Sequence, residues 1–366
     1  YKKLNIVISE IDDDFTSDLS SKEIRYQDRS SQLAMISTRE AIKDSGLSKK
    51  DLYDFMISVG TSIGGINTTV DEVTKAANTN NIKSMSIRTI LKMLPNMISA
   101  NLAINNSIHG PANTYSSACA SGSVSIGEAY EKIKDGYVKG AVAVGVESCL
   151  NDNALESFKK LGVLSSNADI MKSSEPFCHN RDGFVISEGS CTLILEDLES
   201  AKKRGANIYC EIIGYSSYSD AFSLVAPDSK GMEESMKKAL RQASISPSDI
   251  NYINAHGTST LSNDKSESNA ICSTFNDDLP LISSTKSYLG HMLGGSGAIE
   301  AALCANMLKR NIFIGQNTSY TDLDDDLDIK DSILLNNKKI ESSLSYIMSN
   351  SFAFGGTDSV LILKKL

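Results

Sequence analysis

The chain has 366 residues, 41% hydrophobic and 22% charged, which is long enough for two domains or one large layered unit with a sizeable core. A net charge of -9 excludes a broadly basic nucleic-acid surface. Neither a membrane-length apolar run nor a basic-then-apolar opening is present, so a cytoplasmic protein with no membrane or nucleic-acid contact is expected.

Residues 54–62, DFMISVGTS, read as a strand, and residues 95–105 as a helix. The stretch ANTYSSACASGSVSIG, residues 112–127, then sets Cys119 among small residues. In the run after it, Val124, Ile126, Ala129, Tyr130 and Ile133 fall close to one helical stripe. Gly136 ends that helix, and VKGAVAVGVES, residues 138–148, is apolar enough for a buried parallel strand. Cys119 is therefore expected at a turn entering a helix, where the dipole and free N–H groups would favour the thiolate and lower its pKa. An inert buried cysteine is the competing reading, and this stretch alone does not decide between them. The seven cysteines (119, 149, 178, 191, 210, 272 and 304) are odd in number and form no CxxC pair, against a disulfide framework or a zinc site.

His256 follows an apolar strand in NYINAHGTST, residues 251–260. His291 lies in SSTKSYLGHMLGGSGAIEAAL, residues 283–303, read as a strand, a loop and a helix. Both sit at strand-to-loop ends, where α/β sites gather. The other two histidines, His109 and His179, lie in polar loops and read as structural. Glycines 290, 294, 295 and 297 let backbone and ligand approach, but the segment has neither GxGxxG nor a GKS or GKT ending, against a nucleotide loop. The acidic run TDLDDDLD, residues 321–328, lacks the features of a calcium loop and reads as a solvated surface loop. Finally, YIMSNSFAFGGTDSVLIL, residues 346–363, reads as two apolar strands joined at Gly355-Gly356, a tight hairpin with exposed N–H groups.

Five blocks run in order over most of the chain: SSACASG, PFCHNRDGFVISEGS, NAHGTST, STKSYLGHMLGGSG and NSFAFGGT. Together they resemble the β-ketoacyl-acyl carrier protein synthases, in particular the elongating kind with a Cys-His-His site. The resemblance implies an α/β, thiolase-like, five-layered αβαβα fold of two similar halves, 1–205 with the nucleophile and 206–366 with the two histidines, assembled as a homodimer. It implies that Cys119 takes an acyl group from the phosphopantetheine arm of an acyl carrier protein. Malonyl-carrier protein would then lose carbon dioxide and condense with that acyl group, with no metal or cofactor bound by the enzyme.

The same resemblance assigns the remaining roles. His256 and His291 would stabilise the enolate, and the backbone N–H groups of Cys119 and Phe354 would form the oxyanion hole. Lys286 would support the histidines, while Thr258 and Thr260 would line the malonyl pocket. Phe352, Phe354 and Phe158 would line or gate the acyl pocket. Asp264 and Glu300, eight and nine residues after the two histidines, match acids placed behind them. Carrier-protein docking falls to Lys22 and Arg25 in SSKEIRYQDR.

One departure is that the chain begins at Tyr1 without the opening glycine-containing strand usual for the family, so either a partial chain or an abbreviated N-terminal half-sheet is expected. A thiolase would need a second active cysteine near the C-terminus, whereas the last cysteine here is Cys304. A ketosynthase of a discrete polyketide or aryl-polyene pathway is one alternative. A non-catalytic partner subunit of a condensing heterodimer is another, although such a subunit would usually have lost the nucleophile.

Overall fold

Valine, alanine and glycine dominate β4 (Gly140–Glu147), and every residue of that strand is buried. It is the centre of the first half in the computed structural model, which describes residues 1–276, 278–336 and 343–366. The other strands of this half are β1 (Ile8–Ser9), β2 (Met56–Gly60), β3 (Ala112–Tyr115), β5 (Ile186–Ser187) and β6 (Gly189–Glu196). Its helices are α1 (Ser21–Tyr26), α2 (Arg29–Ser45), α3 (Ile66–Asn78), α4 (Thr89–Met93), α5 (Met97–Asn106), α6 (Ser121–Lys134) and α7 (Asp152–Lys160). After α8 (Leu198–Lys203), the second half holds β7 (Glu211–Ser219), β8 (Tyr252–Asn254), β9 (Leu281–Ser283), β10 (Tyr346–Ala353) and β11 (Thr357–Lys364). Its helices are α9 (Ser229–Ala243), α10 (Leu261–Phe275), α11 (Lys286–Leu289) and α12 (Ser296–Arg310).

The two main sheets share one plan. The first has the order β3-β2-β4-β6, with β2 parallel to both neighbours and β6 antiparallel to β4. The second has the order β9-β8-β10-β11-β7, with β8 parallel to both neighbours and β11 antiparallel to β10. Four strands therefore repeat, and the second sheet adds β7 antiparallel to β11.

Helices α2 and α5 cover the outer face of the first sheet, α6 and α12 fill the space between the sheets, and α9 and α10 cover the far side. This gives the five αβαβα layers. Where α6 meets α12 the backbones almost touch: a Cβ on Gly122 would lie 2.8 Å from the Ala298 nitrogen, so only glycine fits. Val142, Val144 and Val146 of β4 point into the first core with Ile57, Val59 and Leu102. Each such side chain contributes about 1.5–3 kcal/mol by leaving water, and a charge at Val144 would remove that and strand itself unpaired.

The helix after Cys119 begins at Ser121 and stops before Gly136, which adopts φ +71°. Strand β4, expected to be parallel, is so only towards β2 and runs antiparallel to β6. The acidic run is also not simply solvated. Leu323 and Leu327 are buried in the second core, and Asp324 accepts a hydrogen bond of 2.6 Å from the buried Arg181. A leucine every fourth position pins this loop down while Asp322, Asp325, Asp326 and Asp328 face solvent.

Candidate active site

Cys119 leaves β3 through a turn in which Ala118 adopts φ +44°. The left-handed region costs a residue with a Cβ about 1–2 kcal/mol, so this turn must be held from outside. It is: the Ser121 and Ser62 hydroxyls both donate to the Ala118 carbonyl, at 2.7 and 2.8 Å, and the Ser117 N–H donates to Ser121 Oγ at 2.9 Å. The thiol is thereby delivered to the N-terminal end of α6.

His256 lies two residues past β8. Its backbone N–H and that of Gly257 donate to the two oxygens of the buried Glu267, each at 2.8 Å. His291 sits between the short α11 and α12, its N–H donating to the Val185 carbonyl at 2.7 Å and its Nδ1 lying 2.9 Å from Ser296 Oγ. The loop expected before His291 thus contains a helical turn. These supports bring Cys119 Sγ and a ring nitrogen of each histidine within 4.8 Å of one another.

Lys286 is buried beside them, with Nζ 3.5 Å from His256 Nδ1 and in an ion pair with Glu300. Burial, reinforced by the Lys286 charge, holds both imidazoles well below the usual 6.5, so they are neutral at pH 7. Nitrogen and sulfur donors at this spacing would suit a soft metal ion, but the adjacent ammonium opposes a dication.

The thiol departs from the sequence reading. Burial pushes Cys119 up to about 12, against the downward pull of Lys286 and of the N–H groups of Phe354 and Cys119 itself. The expected lowered pKa is therefore corrected: Cys119 is only 8% exposed, and desolvation of the sulfur outweighs the helix terminus. The two N–H groups nonetheless converge on the sulfur. The hairpin glycines contribute differently from expectation, because Gly355 N–H donates to the Leu224 carbonyl and Gly356 N–H to the Ala353 carbonyl. They hold the turn, and Phe354 supplies the donor.

A cavity of about 450 Å³ opens on this group, lined among others by Thr258, Thr260, Phe352 and Phe354. The two threonine hydroxyls are 2.9 Å apart. Asp264 is buried one shell out, accepting from the Phe177 N–H at 2.8 Å with Arg181 Nε at 3.7 Å. Phe158 does not line the cavity; it meets Phe184 edge-on at 6.3 Å, and Phe184 in turn meets the His291 ring at 4.9 Å. Lys22 and Arg25 are exposed on α1 and do not line the cavity. Phe184 and Glu267 were missed from the sequence. Phe184 acts through a partner distant in the chain, whereas a glutamate on the helix that follows the HGTST loop was a visible signal for Glu267.

A buried thiol flanked by two N–H donors and two neutral imidazoles suits acyl transfer through an anionic intermediate, shielded from water. Known proteins agree with this chemistry. The N-terminal domain of beta-ketoacyl synthases matches residues 3–201, and the C-terminal domain matches residues 209–317. The chain is 37% identical over 354 residues to a 3-oxoacyl-[acyl-carrier-protein] synthase 2 of Staphylococcus aureus, covering 95% of this chain and 84% of that one. Among solved structures, the ishigamide ketosynthase/chain length factor superposes with a TM-score of 0.91 at 29% identity, covering 98% of this chain and 87% of that one. A type II polyketide ketosynthase in complex with its acyl-carrier protein superposes with a TM-score of 0.85 at 27% identity, covering 92% and 85%. The chain belongs to the beta-ketoacyl synthase family.

Proposed function

We propose that this protein is a β-ketoacyl-acyl carrier protein synthase that elongates fatty acyl chains by decarboxylative Claisen condensation. The observation that carries the reading is the convergence of Cys119 Sγ with ring nitrogens of His256 and His291 within 4.8 Å, under the N–H groups of Phe354 and Cys119. Cys119 attacks the thioester carbonyl of an acyl group on a carrier protein's phosphopantetheine arm. The tetrahedral oxyanion forms under the two N–H donors, and the arm leaves as a thiol carrying the proton that Cys119 gives up. Because the resting thiol is protonated, this proton transfer accompanies attack instead of preceding it.

Malonyl-carrier protein follows. Lys286 can only donate to His256 Nδ1, which leaves Nε2–H of that ring for the cavity, and the scheme takes the Ser296 hydroxyl as the donor to His291 Nδ1, so that the second ring offers Nε2–H as well. These two N–H groups stabilise the thioester enolate as carbon dioxide departs. The enolate carbon attacks the acyl-enzyme carbonyl, the Cys119 sulfur leaves and regains a proton, and the product is a β-ketoacyl chain two carbons longer. Glu300 pairs with Lys286 in the interior. The threonine pair at 258 and 260 holds the malonyl end, and Phe352 and Phe354 shape the acyl side; Asp264 braces the chain behind His256. No cofactor is bound by the enzyme in this scheme.

The reading gives the enzyme two partners. One is the carrier protein, a partnership supported by the carrier complex of the polyketide ketosynthase, and the proposal assigns its acidic surface to the exposed Lys22 and Arg25. The other is a second copy: β3 is an edge strand, and Ile82, Ile87, Ile90, Leu91 and Ile104 are all exposed in the segment leading to it. Seven free cysteines suit a reducing compartment such as the cytoplasm, and among the described residues no helix is long and apolar enough to cross a membrane. A polyketide role is less favoured, because the 37% identical relative carries the name 3-oxoacyl-[acyl-carrier-protein] synthase 2. A non-catalytic subunit is disfavoured by the intact Cys119 site.

Intact-protein mass spectrometry after mixing with acyl-carrier proteins of graded chain length tests the reading. Acyl adducts on the wild type and none on Cys119→Ala support it. A folded wild type that takes no acyl group contradicts it.

A further inference from the structure

Glu147 closes β4 and is completely buried. Its carboxylate is held by neutral donors: Oε1 accepts from the Thr61 hydroxyl at 3.1 Å and the Ile63 N–H at 3.3 Å, and Oε2 accepts from the Ser62 N–H at 2.6 Å and the Gly294 N–H at 3.2 Å. Three of these donors belong to the turn after β2, in the half that carries the nucleophile. The fourth belongs to the loop after His291, in the other half.

Both ends of this clamp reach strained backbone next to reacting groups. The Ser62 hydroxyl donates to the carbonyl of Ala118, at φ +44°, directly before Cys119. Gly294 follows Leu293, at φ +42°, two residues after His291. The approach is so close that a Cβ on Gly294 would lie 2.4 Å from the Ser62 nitrogen and 2.7 Å from Glu147 Oε2. An ionised carboxylate can accept from four donors at once, whereas a glutamine amide offers one oxygen and turns two N–H donors towards the rest.

We propose that Glu147 is a positioning residue that holds the nucleophile turn and the His291 loop at their working separation. The inference rests on the condensing reading for its activity readout. Its negative charge acts in addition on the sulfur, opposing ionisation of Cys119 through the protein interior. Glu147 thus supplies geometry at some cost to thiolate formation, and the two effects are separable by mutation.

The test compares Glu147→Gln with Ser62→Ala in the full chain, reading condensation kinetics, Tm and the pH dependence of Cys119 alkylation by iodoacetamide. Glu147→Gln is expected to lower kcat by about 10–100-fold with little change in KM for malonyl-carrier protein, while Cys119 alkylation moves to lower pH. Ser62→Ala keeps the charge, so it is expected to lower kcat by about 10-fold with the alkylation profile unmoved. Unchanged kcat in a folded Glu147→Gln, or an alkylation profile that stays put while kcat and Tm fall together, overturns the proposal. If Glu147→Gln does not fold, Ser62→Ala decides, and wild-type kcat there overturns it. Failure of the condensing reading is recognised separately, because the wild type itself would then form no product.

Discussion

The Lys286 ammonium lies 3.5 Å from His256 Nδ1 and is matched on its other side by Glu300, with both charged side chains buried. The pair gives the site a fixed cation that donates into one imidazole and thereby chooses its tautomer. Lys286→Met should reduce malonyl decarboxylation by about 100–1,000-fold, the cost of losing a preorganised electrostatic contact. It should also destabilise the fold by about 3–5 kcal/mol, because Glu300 is left buried and alone. The double variant Lys286→Met/Glu300→Leu should recover most of the stability and none of the activity, which thermal melts and carbon dioxide release measure together.

The histidines make a pH prediction. Their folded pKa values are depressed by burial, so the unfolded chain binds more protons than the native one below about 6.5, and their contribution to stability falls as pH drops through that value. Each contributes a slope of up to about 1.4 kcal/mol per pH unit there. His256→Gln should show a shallower loss of stability between pH 6.5 and 5 than the wild type in urea unfolding. An unchanged slope would mean that the ring is solvated.

Asp358 works in the opposite sense. Burial, with Asp220 and Asp228 nearby, pushes its carboxyl up to about 8, and its Oδ2 has no hydrogen-bond partner among the described residues. The penalty for ionising it is absent below about pH 4 and grows as pH rises towards 8. Asp358→Asn should therefore melt several degrees higher than the wild type at pH 8.5 and at the same temperature near pH 4, as differential scanning calorimetry would show.

The dimer proposal is tested at the exposed apolar residues before β3, taken as the face that meets the second copy. Ile87→Glu with Ile90→Glu places two charges in that face, where Ile87 is 92% exposed in the single chain. Burying unpaired charges in an interface should cost enough to give monomers at micromolar concentration in sedimentation velocity, against a wild-type dimer. Monomeric wild type under the same conditions would remove the proposal.

The parts of this site that the sequence made legible are those in which one residue type carries its own chemistry. Cys119 in its small-residue turn, and His256 and His291 at strand ends, come together where those blocks implied. The thiol pKa could not be read in this way, since the burial that raises it comes from Ile6, Phe184, Ile186 and Leu293, far apart in sequence. Glu147 was equally invisible: it reads as the last residue of an apolar strand until Thr61, Ser62 and Gly294 fold around it. In the acidic run, charge masked the leucine spacing that anchors it. At the level of the fold, both strand–turn–helix units were visible, whereas the matched order of the two sheets emerges only from pairing.

The central claim is that Cys119 holds an acyl chain while two neutral histidines make an enolate beside it. The most direct measurement acylates the enzyme in advance, adds 13C-labelled malonyl-carrier protein, and follows labelled carbon dioxide and β-ketoacyl product by mass spectrometry. The account predicts one product per acyl-enzyme for the wild type, and for His256→Ala and His291→Ala an acyl-enzyme that persists with decarboxylation slowed by about 100-fold or more. A histidine variant that condenses at the wild-type rate, or a wild-type acyl-enzyme that never turns over, would contradict it.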